Sequence, residues 1–261
     1  MRKKNGVIKT FLRNREYIFF YARVILKTNV AGSYLGFLWL FISPLMFMLI
    51  YSFIVLVVFK SSQENFNVFV LIGLTSWSLF SNTVLMGATA IVRNKSIFEQ
   101  VYFHKSIYPM IYLLSNTYQF LISFILVIIF LLFSKIPLTW HVAEMAPVLL
   151  VQMLFTLGCT LIISHFGVYV FDLRNVLDFV LRFLFYLSPV MWNPQMLNPR
   201  IANLLQWNPM AVIINAYRAC LMYHSSPNYL HLLIITLVSC VLIFSGHNLI
   251  SKYEDEYART I

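Results

Sequence analysis

Long apolar runs separated by short polar stretches dominate this chain from residue 35 to the start of its C-terminal tail. A helix that crosses the hydrocarbon core of a bilayer needs about 20 apolar residues at a rise of 1.5 Å each. Five runs meet or nearly meet that length, at 35–59, 68–92, 107–133, 148–170 and 230–250. A sixth, 176–192, is short but carries Asp178 and Arg182 near its start, where they can reach back to the interface. It is expected to be the fifth crossing in chain order. Residues 201–223 are apolar too, but Asn208-Pro209 divides them and Arg218 interrupts the second piece, so neither part is long enough to cross. A re-entrant helical hairpin within 193–226 is expected instead. Residues 1–30 follow a different period. At 100° per residue, Lys9, Arg13, Glu16, Arg23 and Lys27 fall within an arc of about 80°, opposite Val7, Phe11, Ile18, Ala22 and Ile25. That pattern predicts an amphipathic helix lying along the membrane surface. The expected fold class is therefore an all-α integral membrane protein, a single domain over 1–261 with an N-terminal interfacial helix, six transmembrane helices, and a re-entrant hairpin between spans five and six.

Composition agrees: 60% of the 261 residues are apolar and 11% are charged, and no stretch between the runs is long enough to bury a soluble core. The net charge of +10 does not point to nucleic acid, because eight of the nineteen basic residues precede the first run, where they suit an anionic leaflet. With six spans, fifteen basic residues lie on the N-terminal side and four opposite, so the positive-inside rule puts the N-terminus in the cytoplasm. An even number of spans returns the C-terminus to the same side. Cys159, Cys220 and Cys240 are too scattered to suggest a disulfide or a metal site.

The loop over 94–106 contains Ser96-Ile97-Phe98-Glu99, the Ser-x-x-Glu form of a capping box, and predicts a short helix at 97–103. Its apolar residues Ile97, Phe98, Val101 and Tyr102 are costly to leave in water, and Arg93, Lys95, His104 and Lys105 rim them with polar groups. This is the composition of a surface that docks a protein partner, although a plain interfacial turn is the simpler alternative. Gly32 and Gly36 form a G-x-x-x-G pair of the kind that lets a neighbouring helix approach closely. The chain holds no phosphate-binding loop, no H-E-x-x-H, no G-x-S-x-G and no pairing of His with Cys or carboxylate suited to catalysis. It is therefore expected to be no enzyme on its own. Ion-driven carriers keep ionisable groups near the bilayer midplane. Every acidic residue here falls instead in a loop, a tail or a helix end, and His165 is expected to be hydrogen-bonded packing. Energy for uphill transport would have to come from another subunit.

Particular strings extend this reading. YLGFLWLFISP at 34–44 and FEQVYFHKSIYP at 98–109 resemble the first-span entry and the cytoplasmic coupling helix of ABC-2 type permeases that export lipid-linked polysaccharides. FLFYLSPVMWNP at 183–194, WNPMAVIINAYRACLMYH at 207–224 and KYEDEYA at 252–258 are most similar to the wall teichoic acid export permeases of Gram-positive bacteria. The resemblance implies a homodimer in the bacterial plasma (inner) membrane, resting on two ATP-binding subunits that hold ATP and Mg, with no cofactor in this chain. It implies that Ser96, Ile97, Phe98, Glu99, Val101, Tyr102, His104 and Lys105 couple to those subunits, and that 193–226 forms an extracellular gate. A conduit between spans one and five would use Tyr51, Phe183, Tyr186 and Trp192, whose rings give a sugar an apolar platform and, for Tyr and Trp, a hydrogen-bonding edge. Arg23, Lys27 and Arg182 would meet the diphosphate of a polyprenyl carrier. Where relatives often place an Arg-Asp pair, this chain has Phe171-Asp172, so no role transfers there. The same architecture exporting O-antigen or capsular polysaccharide is the nearest alternative. A membrane-embedded polyprenyl-lipid enzyme and a passive channel are the more distant ones.

Overall fold

The computed structural model describes residues 6–58, 64–95, 103–193 and 207–260. Six residues of the expected docking helix (Ser96, Ile97, Phe98, Glu99, Val101 and Tyr102) and positions 194–206 of the expected gate lie outside the described residues. Among the described residues every regular element is helical.

Helix α1 (Val7–Val30) obeys the period read from its sequence. Ile18 and Ala22 are fully buried, with Val7, Phe11 and Ile25 packed beside them, while Lys9, Arg13, Arg23 and Lys27 face outward. It kinks at Asn14, whose side-chain amide donates to the carbonyl of Thr10 at 2.7 Å. The chain then turns through Gly32 and Gly36, both at positive φ (79° and 49°), and a Cβ on either would meet nothing within 4 Å. The two glycines thus serve the turn rather than the close helix packing expected of them. Close packing occurs elsewhere, between α6 (Met145–Tyr169) and α9 (Tyr229–Thr260). A Cβ added to Gly158 would approach Leu242 to 2.7 Å, and one added to Gly246 would approach Leu161 to 2.7 Å.

Helix α2 (Trp39–Ser52) is preceded by a 3-10 turn at Gly36–Leu38 and continues through a π-helical turn at Phe53–Val58. Pro44 inside it has no N–H to give to the carbonyl of Leu40. Ser123 of α5 (Ile107–Phe133) donates its hydroxyl to that carbonyl at 3.2 Å, satisfying it across the helix interface. Helix α3 (Phe66–Gly87) lies at the centre, buried over most of its length, and is followed by the single turn α4 (Ala90–Arg93). Five segments have the length and apolarity to cross a bilayer: Gly36–Val57, Phe66–Gly87, Ile107–Phe133, Trp140–Tyr169 and Tyr229–Tyr257.

The segment expected as the sixth span differs. Helix α7 (Leu173–Leu187) has 15 residues, about 22 Å, and ends at Ser188, which is extended (φ −90°, ψ 145°) as the residue before Pro189 must be. The chain nevertheless travels from end to end here. The close of α6 lies against the close of α9, with His165 Nδ1 2.6 Å from the Tyr257 hydroxyl. The start of α9 lies instead by the loop before α6, where Ser226 donates to Glu144 at 3.0 Å. Residues 173–190 carry the chain between those ends, because Ser188 and Val190 meet α8 (Pro209–Leu221) and its cap. One apolar cluster gathers α1, Ala90, Ile107, Val168, Ile250 and Tyr257 at one end, while the other runs along α3 from Phe66 to Val84 and takes in α8 and Leu232. The first and last helices therefore share one end.

Candidate functional site

The described residues expected to act fall into three groups of side chains. The first is aromatic and lies where α2 meets α7. The Tyr51 ring sits 5.7 Å from Phe185, which in turn packs edge-on to Trp77 at 5.8 Å. Tyr186 is 60% exposed, and Trp192 donates its indole N–H to the Tyr186 carbonyl at 3.0 Å. Phe47 stacks on Tyr51 at 6.3 Å. The structure therefore brings Tyr51, Tyr186 and Trp192 together and leaves Phe183 on the exposed face of α7, itself 65% exposed. Phe185, which sequence reasoning did not single out, is the buried ring that joins Tyr51 to α3.

The second group is cationic. Arg23 and Lys27 are exposed on the last turns of α1. Arg182 pairs with Asp178 at 2.7 Å, one helical turn earlier, and the pair is solvent-facing. Such an exposed (i, i+4) pair contributes only a few tenths of a kcal/mol. Arg23 and Lys27 stand one turn apart on α1, and no hydrogen bond or ion pair among the described residues joins them to Arg182.

The third group fastens the residues that follow the expected docking helix. Phe103 stacks on Tyr17 of α1 with ring centroids 4.4 Å apart. His104 Nδ1 accepts from the Ser106 N–H at 3.3 Å, which leaves Nε2 to carry the proton toward Ser251 Oγ at 2.9 Å. Its ring also stacks on His247 at 4.7 Å. The Lys105 backbone N–H donates to Glu254 Oε1 at 3.0 Å, and the Ser106 hydroxyl meets His247 Nδ1 at 3.0 Å. Burial, together with the nearby His247, Lys105 and Arg13, pushes the His104 imidazole down to about 4, so it is neutral in place. Residues 103–106 are thus clamped between the first and last helices.

Two buried polar assemblies were not anticipated. Arg218 is 1% exposed, and its guanidinium donates to the carbonyls of Pro189 (2.5 Å), Val190 (3.0 Å) and Phe69 (3.1 Å). It also lies 3.3 Å over the Phe69 ring. Gly73 leaves the room, since a Cβ there would meet Arg218 Nη2 and the Val190 carbonyl at 3.0 Å each. Carbonyls freed by the break at Ser188-Pro189 are what this arginine satisfies. Beside it, Tyr217 donates to Gln152 Oε1 at 2.8 Å and Gln152 donates to the Ser76 carbonyl at 2.7 Å, linking α8, α6 and α3. The one signal in the sequence was an arginine inside an apolar segment, which is rare without a dedicated partner set. His165, by contrast, is the hydrogen-bonded packing residue its context implied.

Comparison with known proteins adds to this geometry. Residues 18–222 match the family model described as ABC-2 type transporter. The chain is 30% identical over 239 residues to the O-antigen export system permease protein RfbA of Myxococcus xanthus, covering 90% of this chain and 92% of that one. It is 26% identical over 237 residues to an O-antigen export system permease protein RfbA of Klebsiella pneumoniae, covering 90% and 91%.

Proposed function

Because the chain belongs to the ABC-2 type transporter family, we propose that it is the membrane-spanning permease of an ATP-driven exporter of a lipid-linked cell-envelope polysaccharide. The observation that carries this reading is the end-to-end similarity to two permeases named for O-antigen export. An O-antigen-type cargo is accordingly better supported than the wall teichoic acid expected from the closing strings. Those strings have a structural explanation that is independent of cargo. In WNPMAVIINAYRACLMYH, Asn208 caps α8 by accepting from the Met210 N–H at 3.0 Å, Pro209 occupies the first helical position, Tyr217 binds Gln152, and Arg218 fills its carbonyl cage. Residues engaged in holding the fold report the scaffold, not the polymer.

In this reading 173–190 is the fifth of six crossings and both terminal helices face the cytoplasm. Two copies of the chain sit on two ATP-binding subunits, which hold ATP and Mg. The partner docks at 96–105, and the clamp at 103–106 passes its motion to α1 and α9 together. A polar chain cannot cross hydrocarbon bare, since each unpartnered polar group costs several kcal/mol, so a protein-lined path is required. In this proposal Tyr51, Tyr186 and Trp192 supply part of it, and Arg23 and Lys27 attract the carrier diphosphate.

The test is co-purification and complementation. Tagged chain expressed with its neighbouring ATP-binding subunit should bring that subunit down and restore surface O-polysaccharide to a strain lacking its own O-antigen permease. Failure to capture any ATP-binding subunit would overturn the exporter reading. Restoration of teichoic acid export instead, with no O-polysaccharide at the surface, would reverse the order of the two cargoes.

A further inference from the structure

Midway along three crossing helices lies a cleft of about 160 Å³ whose polar lining carries no charge. It is walled by α2 around Ser43, by α3 from Leu74 to Asn82, and by α5 from Asn116 to Ser123. Each of these positions is at least five residues, about 7 Å, from either end of its crossing segment, so the cleft sits within the hydrocarbon zone. Some of its polar groups already serve the backbone: Ser123 binds the Leu40 carbonyl, Thr75 the Leu71 carbonyl at 2.9 Å, and Asn116 the Tyr112 carbonyl at 3.0 Å. Four others do not. Ser43, Ser78, Asn82 and Gln119 line the cleft without a hydrogen-bond partner among the described residues.

Two carboxamides and two hydroxyls left unpaired at this depth cost several kcal/mol each unless something hydrogen-bonds to them. The chemistry of the wall narrows what that is. With no cation and no carboxylate, it selects neither a phosphate nor a metal ion. Amides and hydroxyls both donate and accept, as a ring of sugar hydroxyls requires. The same wall includes the rings of Phe47 and Phe120, which offer an apolar face of the kind a pyranose stacks against. Phe47 is also the ring that stacks on Tyr51, so the cleft is continuous with the aromatic group at α2 and α7.

From this geometry we propose that the cleft is a subsite for a neutral hexose unit of the polymer, reached from the aromatic strip past Phe47. The inference rests on the exporter reading and adds to it a substrate class and a place: an uncharged sugar ring, held by Asn82, Gln119, Ser43 and Ser78 at mid-depth behind α2.

The experiment uses the chain with its ATP-binding subunit in lipid nanodiscs, and two probes: a polyprenyl diphosphate bearing a neutral hexose oligomer, and the bare polyprenyl diphosphate. Ser78→Cys is labelled with a small water-soluble maleimide, against the parent with its native cysteines as background. The hexose-bearing lipid should slow labelling severalfold and the bare lipid should not. Gln119→Leu, which loses about one hydrogen bond to the sugar, should raise the KM for the hexose-bearing lipid about fivefold with a smaller change in kcat. Equal labelling with and without the hexose-bearing lipid overturns the subsite and leaves water as the occupant. Equal protection by both lipids overturns the sugar assignment in favour of the carrier. Transport of the hexose-bearing lipid across proteoliposomes by the unmodified complex is scored separately. If it is transported while Ser78→Cys stays unprotected, only the subsite falls. If it is not transported at all, the exporter reading falls and takes the subsite with it.

Discussion

The crossing segments Gly36–Val57 and Phe66–Gly87 are the same length, 22 residues, yet 78% of the apolar stretch of the second is buried by the rest of the protein and only 17% of the first. The buried one is also the less apolar of the two. α3 hides Thr75, Ser76, Thr83 and Gly87, whereas α2 and its π-helical turn expose Phe47, Leu49, Ile50 and Phe53. In water that order would be reversed. In a bilayer, lipid tails solvate Leu and Phe as well as a protein interior does, so helices associate through small residues, hydrogen bonds and shape. Apolarity along this chain therefore reports contact with lipid, and modest polarity within an apolar run reports the protein interior.

That contrast can be attacked where it is strongest. Arg218 ties the start of α3 to residues 189–190, and Arg218→Ala leaves the carbonyls of Phe69, Pro189 and Val190 without their donor. At about 1 to 3 kcal/mol per buried orphan, the loss should be 3 kcal/mol or more, read as a large fall in the thermal midpoint of the detergent-solubilised protein. Arg218→Lys should recover only part of it, because an ammonium cannot reproduce the fork that reaches three carbonyls. An unchanged midpoint in Arg218→Ala would break the idea that α3 is held by polar ties.

A matched pair of truncations probes the same contrast at smaller scale. Leu71 on α3 is fully buried and Leu49 on α2 is 53% exposed. Leu71→Ala should cost about 2 kcal/mol through the cavity it leaves, and Leu49→Ala less than about 0.5 kcal/mol. Similar losses at both sites would mean that α2 is packed against protein in the assembled state, which would place a second subunit on that face.

A pH-dependent prediction concerns the clamp at 103–106. His104 takes a proton near pH 6.5 when released and only near pH 4 when in place, so the released state binds more protons between those values. The clamp is at full strength above pH 6.5 and weakens as pH falls toward 4. Amide exchange at Lys105, corrected for its intrinsic rate, should accelerate by up to about tenfold per pH unit through that window. His104→Gln should flatten the dependence.

Much of the frame was legible in the sequence. The run at 107–133 coincides with Ile107–Phe133, those at 35–59 and 148–170 lie within a few residues of their helices, 68–92 overruns α3 by five residues, and 230–250 stops short of its helix. There the helix continues to Thr260, because KYEDEYA, which reads as a polar tail, packs Tyr257 into the cluster around Ile18 and receives the Lys105 amide on Glu254. The end of α7 was misplaced since Pro189 stops the helix five residues before the apolar run does. The cage around Arg218 and the bridge through Gln152 could not be read from a single chain. Their partners lie 28 to 149 residues away along the chain, and spacing alone gives no sign of which distant carbonyl an arginine will meet. The clamp at His104 was half visible, as a polar rim, without its counterpart on α9.

The exchange at Pro44 has a mechanical corollary. An ordinary helix resists bending because every turn must lengthen or sever main-chain bonds, but at Leu40 the main-chain bond is already missing and a side chain from α5 stands in for it. Flexing α2 at that level asks only that one serine hydroxyl let go, a cost near 1 kcal/mol and within thermal reach. The outward-facing helix that borders both the aromatic strip and the polar cleft is thus built with a joint, and the residue that latches the joint sits on the wall of the cleft itself.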